Sequence, residues 1–315
     1  MQVRAPAKVN TWLEVLGRRA DGFHELRTWL FALELADAVA GEWDDDLPVG
    51  RIELSVIGPA ASADIPSDAS NLVSRAAGLA LDELDRRGVS VPGGLRLELR
   101  KEIPSQAGLG GGSSDAAAVL WLVEALAGME FGASWRGRAL AGLGSDTVFF
   151  EAARGLGAGL ATGRGEHVQP AHSPEPAWWV ALVTPDVPCP TGAIFAELSA
   201  PSIEGPPAEG GAIDATSLDA VEMGGVLRND LEEPALRAAP ELVAWRELLD
   251  HAVGEAGAPF RLSGSGSSFF ALRRTAAEAT ELVERATALA GARALGLRGR
   301  WVTRTACHSG IPTRA

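Results

Sequence analysis

The 315-residue sequence has no tyrosine and only two cysteines, Cys189 and Cys307. These cysteines have neither the spacing of a metal site nor that of a redox pair, so we interpret both as structural thiols. No apolar run approaches the roughly 18 residues of a membrane span, and the N-terminus lacks a signal-peptide pattern. Together these absences predict a soluble, cytoplasmic protein without a disulfide framework.

Lysine is scarce as well, because Lys8 and Lys101 are the only two among 28 basic residues. A lysine kept in such an arginine-rich chain suggests a position that requires a compact ammonium, although a lone lysine is more often solvated. The net charge of −13 excludes nucleic acid and anionic membranes as partners held by overall attraction. An anionic small molecule therefore needs a local group of donors.

Apolar periodicity predicts a mixture of strands and helices in a globular chain that is 46% hydrophobic. The expected strands lie within residues 51–58, 94–104 and 176–185, and the expected helices within 70–88, 113–128, 234–252 and 275–291. The two types do not alternate regularly, which indicates an α+β fold rather than a doubly wound parallel sheet. Residues 200–215, rich in proline, glycine and acids, predict a loop or a mobile insert.

Residues 103–119, IPSQAGLGGGSSDAAAV, place four glycines directly before a helical pattern. A helix N-terminus has unpaired N–H groups and a partial positive charge, and glycines let the backbone fold closely around a ligand. The stretch therefore predicts a phosphate cradle, with an ordinary glycine turn as the alternative. Ser113 and Ser114 add hydroxyls for phosphate oxygens or a metal, while Asp115 either faces a bound Mg²⁺ or caps the helix.

Two common nucleotide motifs are excluded. No Gly-Lys-Ser/Thr occurs anywhere, which rules out a Walker loop, and Ser113 replaces the third glycine of a dinucleotide fingerprint. No strand is expected close enough to the N-terminus to give that fingerprint its usual context, so a Rossmann dehydrogenase is a distant alternative.

Three further clusters accompany the glycine loop: PAKVN at residues 6–10, LGSDTVFF at 143–150 and SGSGSS at 263–268. The second places Asp146 between a glycine turn and a predicted apolar strand. By itself, an aspartate after glycine is usually a turn former.

The order PAKVN, GLGGGSSDAA and SGSGSS resembles the three motifs of the GHMP small-molecule kinases. Four more segments narrow the resemblance to the members that phosphorylate a cytidine diphosphate derivative of methylerythritol in non-mevalonate isoprenoid synthesis. They are DGFHEL, ATGRGE, VPCPTGAIF and NDLEEPA, at residues 21–26, 161–166, 187–195 and 229–235. The resemblance covers nearly the whole chain except residues 200–215 and the C-terminal tail.

The resemblance implies an α+β, two-domain GHMP kinase fold. Residues 1–165 would form a domain like domain 2 of ribosomal protein S5 that carries the phosphate loop, and residues 166–315 a ferredoxin-like domain. The implied reaction moves the γ-phosphate of ATP, with Mg²⁺, to the tertiary 2-hydroxyl of the methylerythritol group. The implied partner is only this small cytidine diphosphate substrate, and the chain would be a monomer or a weak homodimer.

The family's functional residues carry over to matching positions of this sequence. Lys8 and Asp146 match the family's catalytic lysine and aspartate. The role implied for the aspartate is to accept the hydroxyl proton, which a carboxylate that stays ionised beside an ammonium can do. The ATP-binding positions would be Pro104, Ala107, Gly108, Leu109, Gly110, Gly111, Gly112, Ser113 and Ser114. The substrate-binding positions would be Asn10, Phe23, His24, Thr191, Phe195, Gly264 and Ser265, with cytosine stacked between the two phenylalanines and its edge bonded to His24.

Two departures from the family pattern put the rate in question. Thr147 and Val148 follow Asp146 where Val-Pro is usual, and Ser105 and Gln106 replace Met-Gly before the loop.

Two alternative functions share the expected fold. Another GHMP kinase, of the homoserine or mevalonate type, predicts a scattered Phe23, His24 and Phe195, and a non-catalytic nucleotide-binding protein predicts Asp146 or Lys8 away from the cradle.

Overall fold

The computed structural model describes residues 1–199, 215–254 and 258–306. The predicted insert at 200–215 lies outside the described residues except for Ala215, and so does Cys307. Cys189 is buried, which raises the pKa of its thiol to about 11. No helix in the described part of the chain has the length and apolar character needed to cross a bilayer.

The described residues form eleven strands and nine α-helices. The strands are β1 (Gln2–Arg18), β2 (His24–Asp44), β3 (Ile52–Ile57), β4 (Gly94–Arg100), β5 (Gly157–Gly163), β6 (His167–His172), β7 (Trp179–Pro185), β8 (Arg228–Asn229), β9 (Arg261–Leu262), β10 (Phe269–Arg273) and β11 (Leu297–Arg304). The helices are α1 (Leu72–Arg86), α2 (Gly111–Ala127), α3 (Ala133–Ala141), α4 (Thr147–Ala152), α5 (Thr191–Ala196), α6 (Ala220–Val226), α7 (Glu232–Ala238), α8 (Glu241–Val253) and α9 (Ala276–Ala292).

The larger sheet has seven strands, in the order β3-β4-β2-β1-β8, with β5 pairing with β2 and β6 with β5. Its long strands β1 and β2 contradict the expectation that no strand begins near the N-terminus. The central residues of β1 are buried on both faces, the polar Lys8 and Asn10 included, so the strand lacks the solvent-facing polar side of a half-buried strand. Register shifts between Pro6 and Lys8, between Asn10 and Trp12 and between Val15 and Gly17 interrupt the pairing of β1 with β2.

Helices α1 and α2 pack together, and α2 also contacts β1 and β2. Three predictions of secondary structure need correction. Helix α2 begins at Gly111 rather than Ser113, because Gly110 in the left-handed conformation (φ 70°) turns the chain into the helix. Phe149 and Phe150 lie in helix α4 rather than in a strand, since a short apolar run does not distinguish the two. The predicted helix at 234–252 is two helices separated at Pro240.

The smaller sheet has the order β11-β7-β10-β9, and all of its pairings are antiparallel. Helices α5 to α8 lie between β7 and β9, and α9 lies between β10 and β11. With α8 as the principal helix of the first crossover, this is a βαββαβ arrangement of the ferredoxin-like kind. The α+β expectation is confirmed, while the domain boundary at 165/166 stays a prediction.

A hydrophobic cluster joins the two sheets. It combines Val9 of β1 and Phe31 of β2 with Val180 and Leu182 of β7 and Phe270 of β10. Strand β8, which follows the smaller sheet's first strand in the chain, pairs in parallel with β1. This junction brings loops from both halves of the chain to one cavity.

Candidate active site

The glycine loop before α2 has a geometry that only glycine permits at two positions. Gly108 and Gly110 have φ values of 74° and 70°. A Cβ on Gly108 would overlap the Ser263 carbonyl oxygen, and one on Gly110 would lie 2.9 Å from Lys8 Cγ. No side chain caps the N-terminus of α2. The first N–H groups of a 17-residue helix are therefore left for an anionic ligand.

Lys8 lies against this loop and is only 3% exposed. Its ammonium donates to Asn10 Oδ1 at 2.7 Å and to the Gly108 carbonyl oxygen at 2.9 Å. The Asn10 amide in turn donates to Thr28 Oγ1 at 2.9 Å. Because Lys8 and Asn10 are two residues apart on β1, both side chains lie on one face of the strand.

Asp146 is the third neighbour of the Lys8 ammonium, with 3.2 Å between Lys8 Nζ and Asp146 Oδ2. The carboxylate is 40% exposed and lines the cavity, whereas the ammonium is almost completely buried. Asp146 precedes α4, and the turn before it is held by Thr147. The Thr147 hydroxyl lies 2.6 and 2.5 Å from the carbonyl oxygens of Leu140 and Gly144. Those contacts hold the turn on which Asp146 lies.

A second glycine–serine loop, residues 263–266, packs directly on the first. Ser263 Oγ donates to the Gly108 carbonyl oxygen at 2.9 Å, so that oxygen accepts from both Ser263 and Lys8. The Ser268 N–H donates to the Ala107 carbonyl oxygen at 3.1 Å. Ser265 Oγ lies 3.0 Å from Thr191 Oγ1.

One cavity of about 1270 Å³ runs through these elements. Ordinary ligand pockets reach about 1000 Å³, so this cavity is large for a single small ligand. The predicted site residues that line it are Lys8, Asn10, Phe23, His24, Pro104, Ala107, Gly108, Gly110, Gly111, Gly112, Ser113, Asp146, Thr191, Phe195, Gly264 and Ser265.

The two remaining predicted residues do not line this cavity. The Leu109 side chain is buried with Ile103 and Ala107, and its carbonyl oxygen accepts from the Lys8 N–H at 2.9 Å. Ser114 is fully buried in α2, and its hydroxyl has no hydrogen-bond partner. Asp115 is buried too, pairs with Lys101 at the edge of the cavity and does not cap the helix.

Phe23, His24 and Phe195 line the same cavity. The rings of His24 and Phe195 lie 5.3 Å apart, centroid to centroid. Phe23 is 53% exposed, with the Arg164 guanidinium 4.7 Å above its ring. Burial, and secondarily the Arg18 charge, lower the pKa of His24 from 6.5. A neutral imidazole at this position can both donate and accept a hydrogen bond at neutral pH.

Sequence reasoning missed a buried ionic cluster behind the loop. Lys101 contacts Asp37 closely and lies 2.7 Å from Asp115 Oδ2. Burial opposes the charged form of Lys101, but the two carboxylates outweigh it and raise the lysine pKa. Burial is also the main cause that raises the pKa of Asp115, which Lys101 only partly offsets. The scarcity of lysine was the available signal, since both lysines prove to be buried rather than solvated.

The second departure from the family pattern lies where the loop begins. Gln106 has a positive φ of 51°, a conformation that suits the glycine usual at this position. Ser105 holds the neighbouring backbone: its hydroxyl donates to Asp64, and its carbonyl oxygen accepts from Arg298 at 3.0 Å.

Comparison with known proteins places this architecture in a class. The N-terminal domain of GHMP kinases matches residues 71–148. The crystal structure of homoserine kinase from Cytophaga hutchinsonii has a TM-score of 0.69 at 18% identity, covering 98% of this chain and 96% of that one. At this identity the likeness shows the fold, which is that of the GHMP kinases.

More similar proteins specify the family. The 4-diphosphocytidyl-2-C-methyl-D-erythritol kinase of Parvibaculum lavamentivorans is 34% identical over 278 residues, 88% of this chain and 90% of its own. A crystal structure of 4-(cytidine 5'-diphospho)-2C-methyl-D-erythritol kinase has a TM-score of 0.70 at 31% identity, covering 97% of this chain and all of that one. The chain belongs to the 4-diphosphocytidyl-2-C-methyl-D-erythritol kinase family.

Proposed function

We propose that this protein transfers the γ-phosphate of ATP to the 2-hydroxyl of 4-diphosphocytidyl-2-C-methyl-D-erythritol, giving the 2-phosphate and ADP in non-mevalonate isoprenoid synthesis. The observation that carries this proposal is the position of the Lys8–Asp146 pair. It lies where the glycine loop of residues 108–112 meets the second loop. Phosphoryl transfer requires positioning and charge stabilisation above all, and these are what the three elements offer.

In this proposal Asp146 accepts the proton of the substrate hydroxyl as the phosphoryl group moves onto its oxygen. Lys8 binds that oxygen and the incoming phosphoryl and offsets the charge that develops. Asn10 and the Gly108 carbonyl take two of the three N–H donors of the ammonium and hold it in place, which leaves one donor on the side of Asp146.

The ATP phosphates would bind the N–H groups of residues 108–114. Mg²⁺ is supported by the chemistry of Ser113, a hydroxyl residue that follows the glycines and lines the cavity. The described residues contain no group of three or more His, Cys, Asp or Glu that could hold a metal. Phosphate oxygens would therefore supply most of the ligands, as is usual for Mg²⁺. When bound, the ion neutralises phosphate charge.

The cytidine would occupy the end of the cavity lined by Phe23, His24 and Phe195. The proximity of His24 to Phe195 favours this substrate over the homoserine and mevalonate types, which need no base pocket. The ion pair of Lys8 and Asp146 likewise argues against a non-catalytic nucleotide-binding protein. We expect a cytoplasmic monomer or weak homodimer.

A coupled assay of ADP release tests the proposal. It compares the diphosphocytidyl alcohol with homoserine and mevalonate at equal concentrations. ADP release only with the cytidine compound is expected, and equal or greater release with either of the other alcohols would overturn the assignment.

Replacement of Phe195 by Ala tests the position of the base. We expect KM for the cytidine substrate to rise by about tenfold, as loss of one stacking contact predicts, while KM for ATP stays nearly unchanged. Equal changes in both KM values would contradict a cytosine pocket at this end of the cavity.

A further inference from the structure

Asn229 belongs to the NDLEEPA segment but has no role in the proposed reaction, and it lies behind the second glycine–serine loop. It is the second residue of the short strand β8, which pairs in parallel with β1 at Trp12 and Leu13. Asn229 is thus fixed to the same strand that carries Lys8 and Asn10.

All the polar groups of the Asn229 side chain are used on backbone atoms. Its amide nitrogen donates to the carbonyl oxygens of Leu262 at 2.8 Å and of Gly264 at 2.7 Å. Its oxygen accepts from the Leu231 N–H at 2.9 Å. Two acceptors on one side and a donor on the other fix the amide orientation, because the reverse would place oxygen against oxygen.

The loop that Asn229 holds touches the reacting groups. Gly264 has a positive φ of 56°, and a Cβ built on it would lie 3.4 Å from Lys8 Nζ and 3.2 Å from Asn10 Oδ1. One residue earlier, Ser263 shares the Gly108 carbonyl oxygen with Lys8. A displacement of this loop by 1 Å would therefore be felt at the ammonium, and misplacement on that scale costs on the order of 100-fold in rate.

We propose that Asn229 is a positioning residue that holds residues 262–264 against Lys8 and so sets the geometry of phosphoryl transfer. The inference rests on the proposed function for its kinetic consequence, but not for its structural one. Asn229 touches neither the reacting atoms nor the cavity, so its effect passes through Gly264.

The test replaces Asn229 with Asp, which has nearly the same shape but presents oxygen to both carbonyls. We expect kcat to fall by roughly 10- to 100-fold, the effect seen when residues that orient reacting groups are removed. Asn229→Ala leaves both carbonyls free for water without repulsion, so the decrease in kcat should be smaller than for Asn229→Asp. The matched control is Thr275→Ala, which removes the side-chain cap of α9 in the same half of the chain. It should lower Tm without lowering kcat.

A second readout does not depend on activity. The chain has only two lysines, so labelling with [¹⁵N]lysine gives two ammonium signals, assigned with Lys8→Arg. Asn229→Asp should move the Lys8 signal and leave that of Lys101 in place. If Lys8's signal and kcat both match those of Thr275→Ala, the inference is overturned. If the wild-type protein fails to phosphorylate the cytidine alcohol, the proposed function fails, and the lysine signals still decide the role of Asn229.

Discussion

Lys8 and Lys101 lie on two sides of the same glycine loop, and both are 3% exposed. Their partners differ. Lys8 faces two neutral oxygens and one carboxylate that opens onto the cavity, whereas Lys101 is enclosed by Asp37 and Asp115, which are 0% and 1% exposed. Both lysines border the same cavity, but only Lys8 has a carboxylate partner that is itself exposed, whereas both carboxylate partners of Lys101 are buried.

The enclosed lysine instead joins three elements. Asp37 lies on β2, Asp115 on α2, and Lys101 directly follows β4. Asp37 also accepts from the N–H groups of Glu102 and Ile103, at 2.6 and 2.9 Å. This cluster holds the first turns of α2 against the sheet. We infer that one lysine serves the reaction and the other supports the loop on which the reaction depends.

The largest expected effect is at Asp146, the carboxylate partner of Lys8. Asp146→Asn keeps the shape of the side chain but removes the proton acceptor, so kcat should fall by about 10³- to 10⁴-fold. ATP binding, measured by calorimetry, should be nearly unchanged because Asp146 is outside the glycine loop. Asp85→Asn, at an exposed site near the end of α1, is the control and should behave as wild type. A near-normal rate for Asp146→Asn would show that another group accepts the proton.

Lys101→Met tests the enclosed lysine. It leaves two buried carboxylates without their cation, and we expect the free energy of unfolding in urea to fall by about 3–5 kcal/mol. Arg274→Met removes an exposed cation from Asp219 and should change stability little. Equal losses in the two variants would show that the enclosed cluster is not a major contributor to stability.

A smaller effect is expected at Gln106, which lies between Lys101 and the glycine loop in the sequence. Gln106→Gly removes a left-handed penalty of about 1–2 kcal/mol and adds about 0.4–1 kcal/mol of unfolded-chain entropy. The net gain in unfolding free energy should be about 0.5–1 kcal/mol, measured in urea. Ala294→Gly, at φ 53° away from the cavity, should stabilise similarly. Only Gln106→Gly should also raise KM for ATP, since it loosens the loop. Unchanged ATP kinetics would show that the loop needs no such support.

The smallest expected effect concerns His24, which lines the cavity. Arg18→Gln removes the secondary cause of its lowered pKa, so NMR titration should show the pKa rising partway towards 6.5. In the wild type the folded-state pKa lies below the unfolded value. The unfolded chain therefore binds the proton more readily, and this contribution to stability is present above pH 6.5 and lost as the pH falls. A pKa unchanged by Arg18→Gln would assign the whole shift to burial.

Several elements were predictable because their local patterns are strong. Strands β3 and β4 alternate clearly, and α1 and α9 have amphipathic spacing with caps at Asn71 and Thr275. Strand β1 was missed because its buried centre contains Lys8 and Asn10, polar residues that a local pattern does not assign to a core strand. The short helix α4 was mistaken for a strand because its apolar run is too brief to show a period.

The glycine loop before a helix could be inferred from residue order alone, because glycines there have a direct backbone consequence, while its use as an anion site stays a prediction. The rest of the candidate active site depends on contacts between residues that are far apart in the sequence. The Lys8 ammonium meets a carbonyl 100 residues away, and Asn229 meets the second loop from 35 residues before Gly264. No local pattern encodes such contacts. They arise where two sheets share one hydrophobic cluster, and the tertiary packing decides that Lys8 meets the exposed carboxylate of Asp146 while Lys101 meets two buried carboxylates.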